Sequence, residues 1–293
     1  MTVTGETTNS LSHPSQTLPR NQKRVFTLVL LAFIVGVNIP VIFNLTVSRA
    51  FAIDVTAILT SGAAILASGI TTITYYFRKR GRGGYFWSSI GLTFWFAAEV
   101  IWVYNRQIVG NDLPYPSVAD AAWIIGYGFF ALHLYRIMRN LGKSYPIEKS
   151  LVVLVSFAVS LSLAYILNLT FGVADILGFR DDTLSPIVSL SYPLLDGILL
   201  VPSIVILWSL RKGDPTAFNW LLLSLAFILL TIGDIGFGYS FGLAPGMAEN
   251  YEWILAIFYN AGYVCIAASV LYSLMLDRFF NRTHLTEDIL SKP

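Results

Sequence analysis

Three carboxylic acids, Glu99, Asp196 and Asp234, each interrupt a run of apolar residues long enough to lie inside a membrane. An ionisable side chain in that position is costly, at least about 2.5 kcal/mol at mid-helix on insertion scales, so each marks a candidate functional site. Carboxyls so placed can hold a cation, pass a proton, or hydrogen-bond a ligand or another helix. Asp54, Asp120 and Glu252 stand nearer the helix ends. Trp95, Glu99, Trp102 and Arg106 recur at i, i+4, i+7 and i+11, which puts them on one helical face. Asp120, Trp123 and Tyr127 share a face of the following helix, and Asp234 and Tyr239 recur on a later one. Taken together, Glu99, Trp102, Arg106, Asp120, Trp123, Tyr127, Asp196, Asp234 and Tyr239 predict an acidic, aromatic-walled ligand site open to the outer face, with Arg106 as counter-ion.

Each residue also has a plainer reading. Tyr and Trp gather at membrane interfaces as anchors that bind nothing specific. Asp120 follows Pro-Tyr-Pro-Ser, and there a carboxylate serves the free N–H groups and dipole of a helix start. Asp54 reads the same way on its own helix. Glu99, Asp196 and Asp234 lie too deep to be caps; they are either functional or structural partners of Ser, Tyr or Asn on neighbouring helices.

Other chemistry is poorly served. His133 is the one histidine within a helical run, too few for a bis-histidine haem or a zinc triad. No lysine lies mid-helix to form a Schiff base, and neither a phosphate-binding glycine loop nor an HExxH motif occurs. The single cysteine, Cys265, excludes an intrachain disulfide. These absences predict a protein that is not an enzyme and has no nucleic-acid partner, and they specify no metal or cofactor. Gly233, Gly236 and Gly238 read as small residues for close helix packing.

The elements that must position the acids follow from composition. Of the 293 residues, 55% are hydrophobic and 12% charged, and mean hydropathy is +0.66. Soluble domains carry about 25% charged residues, so the lipid bilayer is the first partner. Spanning helices need roughly 20 mostly apolar residues, and eight runs qualify: 25–46, 51–77, 85–107, 118–139, 147–170, 186–210, 217–241 and 250–276. Residues 1–22 read as a disordered tail and 277–293 as a short one. With eight spans, 16 of the 19 basic residues fall on one side, leaving only Arg49, Arg106 and Arg180 opposite. The bias of basic loops sets orientation, so the chain is expected in the cell membrane with both termini cytoplasmic.

The second half resembles the first. Asn44-Leu-Thr pairs with Asn168-Leu-Thr, Asp54 with Asp196, Glu99 and Tyr104 with Asp234 and Tyr239, and the Tyr127 that ends WIIGY with the Tyr263 that ends YNAGY. The expected fold is an all-α integral membrane protein of eight transmembrane helices. It forms two parallel four-helix repeats, 23–146 and 147–276, related by a pseudo-two-fold axis along the membrane normal.

The segment AEVIWVYNRQIVGNDLPYPSVADAAWIIGY, with SYPLLDGILL at 191–200 and GDIGFGYS at 233–240, resembles the multi-helix membrane sensory regions found ahead of GGDEF diguanylate cyclase domains in bacterial signalling proteins. The resemblance spans most of residues 25–276 and implies an input module with Glu99, Asp120, Asp196 and Asp234 as its polar positions. It carries over no enzymatic activity, since no output domain follows. The expectation is therefore a sensory or ligand-binding module signalling to a cytoplasmic partner or membrane complex. A small proton- or cation-coupled carrier and a structural subunit of a membrane complex are the alternatives.

Overall fold

The computed structural model describes residues 18–77, 85–110, 115–141, 152–162, 184–210, 214–240 and 248–290, and all regular structure among them is helical. The helices are α1 (Arg20–Phe43), α2 (Arg49–Phe77), α3 (Phe86–Tyr104), α4 (Val118–Leu141), α5 (Val152–Ser162), α6 (Leu184–Ser209), α7 (Ala217–Ser240) and α8 (Ala248–Leu290). A single π-helical turn, Asn105–Val109, extends α3. Seven of these helices are long and apolar enough to cross a membrane; α5, at 152–162, is shorter as described. The rest of the expected fifth span, with Asn168, lies outside the described residues, as does Arg180 beyond it. The last helix runs well beyond the end at 276 that apolarity alone marks, because its charged continuation keeps helical backbone to Leu290.

Large apolar side chains crowd the outer surface, among them Leu28, Val29 and Phe33 on α1, Leu59 and Leu66 on α2, and Trp208 on α6. Water-soluble monomers do not expose continuous apolar faces of that extent. With lipid as the solvent the same faces carry no penalty, and the chain is a multi-pass helical membrane protein. On α5 the buried residues are Val152, Ser156 and Ser160, one stripe at a spacing of four, while Val153, Leu154 and Phe157 face outward.

Neighbour packing closes a ring. α2 packs on α3, α3 on α4, α4 on α6, α6 on α7, α7 on α8, and α8 back on α2. α1 lies against α8 and α2. α5 meets α6, where Ser160 Oγ donates to the Leu194 carbonyl at 2.9 Å and occupies the space beside Gly197. Residues 261–270 of α8 are buried without a break, as expected of a helix with partners all round.

Side chains fill the middle of the ring. Phe130 of α4 meets Phe227 of α7 edge-on at 5.9 Å between ring centroids, and Trp95 of α3 meets Tyr263 of α8 at 6.1 Å. Small residues bring neighbours together at equivalent places. A Cβ on Gly126 would strike Trp95 and lie 3.0 Å from the Gly91 carbonyl oxygen. One on Gly262 would strike Leu230 and lie 3.4 Å from the Ala226 carbonyl oxygen.

Candidate functional site

The acids predicted from sequence gather toward the end of the ring that holds the α1–α2 and α3–α4 connections. They fall into a rim group and a deep group.

The rim is built on Arg106. Its guanidinium lies 3.4 Å from Asp54 Oδ2 on α2 and makes a short ion pair with Glu252 on α8. The adjacent Gln107 donates to the same Asp54 oxygen at 2.5 Å. Consecutive residues of a regular helix diverge by about 100°; here they converge on one carboxylate from within the π-helical turn, whose wider winding changes that spacing. Asp54 therefore does not cap α2, as its position near the helix start suggests. Ser48 does, accepting from the Phe51 amide at 3.1 Å, and Asp54 lies farther into the helix, 2% exposed. Arg106 is the counter-ion of the rim acids rather than of the deeper ones.

Asp120 combines both of its expected roles. Its Oδ2 accepts from the Ser117 amide at 2.7 Å and the Ser117 hydroxyl at 2.6 Å, a capping box at the start of α4. The other oxygen accepts from Tyr192 of α6 at 2.7 Å. The cap thus also ties α4 to its ring neighbour.

In the deep group every carboxyl meets a tyrosine. Tyr127 of α4 places its hydroxyl 2.8 Å from Asp196 Oδ1 on α6 and 2.7 Å from Asp234 Oδ2 on α7. Tyr259 of α8 donates to Asp234 Oδ1 at 2.7 Å. Tyr263 of α8 donates to Glu99 Oε1 on α3 at 2.8 Å, with the Trp123 side chain also in hydrogen-bonding reach of Glu99. The Trp95 indole N–H donates to the Trp123 carbonyl at 3.0 Å, and Trp102 packs on Trp123 and Phe237, so the three indoles form one group beside Glu99. Asp196 Oδ2 is buried and receives no donor from the described residues. The side chain of Tyr239 lies outside the described residues.

At average strength, hydrogen bonds do not recover the cost of placing these buried and half-buried acids in a membrane as ions. Interhelical bonds in membranes average about 0.6 kcal/mol and reach about 1.7. Two such bonds to Asp234 offset about half of the roughly 2.5 kcal/mol charged-side-chain cost. An arrangement that leaves this balance unfavourable is a candidate for function.

Several participants escaped the sequence reading. Tyr263 was visible as the counterpart of Tyr127, and Tyr259 stands where the same offset puts Trp123, but both read as interface aromatics. Asn260 had no signal at all. It is 1% exposed, donates to Asn38 Oδ1 of α1 at 2.9 Å and Thr56 Oγ1 of α2 at 3.0 Å, and accepts from Thr60 Oγ1 at 3.1 Å. A small cavity of about 20 Å³, room for about one water, lies toward the opposite end, lined by Tyr85, His133, Asn219 and Ser269 among others.

No known family model matches this chain, nor does any curated protein or any solved structure.

Proposed function

We propose that this protein is a membrane sensory module in which the state of a buried acid cluster is read out as the relative position of two four-helix halves. The observation that carries the reading is the crossing of the tyrosines. Tyr127 belongs to the first half and serves Asp196 and Asp234 of the second; Tyr263 belongs to the second half and serves Glu99 of the first. A change of ligand or charge at either set of acids acts directly on the contact between halves. Reciprocal pairing of this kind is what a two-fold relation generates. The ring order agrees with it, since α2–α3–α4 precedes α6–α7–α8, with α1 on α2 and α5 on α6. In this reading the cell membrane is the setting, the acids open toward the outer side, both termini are cytoplasmic, and the basic inner loops meet the signalling partner.

Spin labels on cysteines introduced at Arg139 and Arg278, both exposed on the basic side, test the reading in reconstituted membranes. The expected result is two inter-label distances whose populations shift with pH or with a bound metabolite, and a single distance in Asp234→Asn. One unchanging distance across pH, cations and metabolites would overturn it.

The carrier alternative has one observation in its favour, the buried Asp196 Oδ2 with no donor among the described residues, an oxygen left open to a cation or proton. Proton- or cation-driven flux in proteoliposomes, abolished by Asp196→Asn, distinguishes it.

A further inference from the structure

We propose that Asp196 and Asp234 together hold one exchangeable proton, which makes the pair a proton-binding site at the contact between α4, α6, α7 and α8. The inference rests on the reading of the acid cluster as the sensing element and names its ligand.

The contact holds fewer hydrogens than oxygens to receive them. Asp234 accepts from Tyr259 at Oδ1 and faces Tyr127 at Oδ2, while Asp196 Oδ1 faces the same Tyr127 hydroxyl. A phenol has one hydrogen to give, so Tyr127 serves one of its two carboxyls at a time. Asp196 Oδ2 is buried, has no donor, and belongs to a side chain 3% exposed whose carboxyl is in hydrogen-bonding reach of Asp234. One added proton on Asp196 Oδ2 completes the set. Asp196 then donates to Asp234, and Tyr127 donates to whichever oxygen is left.

Charge points the same way. Two adjacent carboxylates in a water-poor site do not both ionise, and the proton belongs to the pair rather than to either acid. The groups that face the pair are Glu99 from α3, Tyr127 and, through Tyr192, Asp120 from α4, Tyr192 from α6 itself, and Tyr259 and Tyr263 from α8. Among the described residues all are acidic or phenolic, so none of these supplies a compensating positive charge. Uptake forms an O–H bond at Asp196 with a proton taken from solvent water, and release returns it there. Deprotonation leaves two like charges around one phenol, and relief comes from separating α6 from α7, which loosens the bridge that Tyr127 of α4 makes to both.

Infrared difference spectroscopy of the full chain in lipid nanodiscs, titrated with pH, tests this. The expected result is one C=O band of a protonated carboxylic acid that downshifts in deuterium oxide and is lost in both Asp196→Asn and Asp234→Asn. Tyr127→Phe keeps both carboxyls and should shift the band without removing it, which guards against loss through misfolding. A wild-type chain without such a band at any pH, or a band that survives both Asn variants, would refute the proposal. Loss of the band on adding sodium chloride at fixed pH would assign the site to a metal cation instead. The band reports the proton whether or not the halves move. A bound proton with a fixed inter-label distance therefore refutes the sensory reading alone, and a shifting distance without the band refutes the proton alone.

Discussion

The Tyr127 hydroxyl lies 2.7 Å from an Asp234 carboxyl oxygen, with residues of one half of the chain on one side of that bond and of the other half on the opposite side. A second bond runs the other way, from Tyr263 to Glu99 at 2.8 Å. The two bonds are alike in type but not in surroundings, because Tyr127 also contacts Asp196 and Tyr263 contacts a single carboxyl.

That difference predicts unequal effects of removing the two hydroxyls. Tyr263→Phe should lower stability by about 0.6 kcal/mol, the average for an interhelical bond in a membrane. Tyr127→Phe removes the one hydrogen that two carboxyls share, leaves neither with that donor, and should cost about 1–2 kcal/mol, above the average for such a bond. Equilibrium unfolding in mixed micelles measures both. Equal losses would mean that the contact with Asp196 contributes nothing.

The helices and the acids were legible in the sequence because each has a one-dimensional signature: apolar length for the spans, and a carboxyl interrupting it for the site. The partners were not. Tyr259 and Tyr192 are ordinary membrane aromatics until the neighbouring helix is placed, and only then do they become donors to Asp234 and Asp120. Asp54 was misread because proximity to a helix start resembles capping, while the residue that caps, Ser48, lies outside the apolar run. Asn260 meets residues more than 190 positions away on α1 and α2, a pairing that no local pattern encodes.

At the rim, Arg106 should matter through Asp54 more than through Glu252. Asp54 is 2% exposed, whereas the Glu252 side chain is 33% exposed and reachable by water. Arg106→Ala leaves Asp54 with Gln107 as its remaining donor, and breaking a buried pair in this way costs roughly 3–5 kcal/mol in fully buried cases. The expected loss is about 2 kcal/mol, reduced because Arg106 itself is partly exposed. Glu252→Gln should cost under about 1 kcal/mol. Unfolding of the two single variants decides the order, and a larger effect from Glu252→Gln would reverse it.

Glycine substitutions probe the ring itself. A Cβ at Gly126 would lie 2.2 Å from Trp95 Cδ1, and Trp95 is buried and held by its bond to the Trp123 carbonyl. Gly126→Ala should therefore cost about 1–3 kcal/mol, the usual range for overpacking. It should also disturb the neighbouring Tyr127. Gly262→Ala meets Leu230 Cγ at 2.8 Å, a side chain with more freedom to turn, and belongs at the lower end of the same range. Gly128 has nothing within 4 Å, so Gly128→Ala should be neutral or stabilising by up to about 1 kcal/mol through helix propensity. Melting curves for the three variants in one detergent give the ranking directly.

Asn260 should govern how α1 is held. α1 packs mainly on α2 and α8, touches α7 through Phe26 and Lys23 on Phe218, and outward it shows mostly large apolar side chains. Its buried residues are Asn38 and Val41, and the Asn38 side-chain carbonyl is satisfied by Asn260. Asn260→Leu fills similar volume but removes that donor, together with the bonds to Thr56 and Thr60. The two threonines keep backbone carbonyls on their own helix, Thr56 to Ala52 at 2.9 Å and Thr60 to Thr56 at 2.8 Å, so the unsatisfied group is Asn38 Oδ1. An orphaned buried acceptor costs about 1–3 kcal/mol, and here it acts on a helix at the edge of the described ring. Cysteines at Val41 and Ala52, which share a small buried cluster, should cross-link readily in the parent and several-fold more slowly in Asn260→Leu. Restoring polarity with Asn260→Gln should recover part of the rate, whereas equal cross-linking in all three proteins would show that packing alone holds α1 in place.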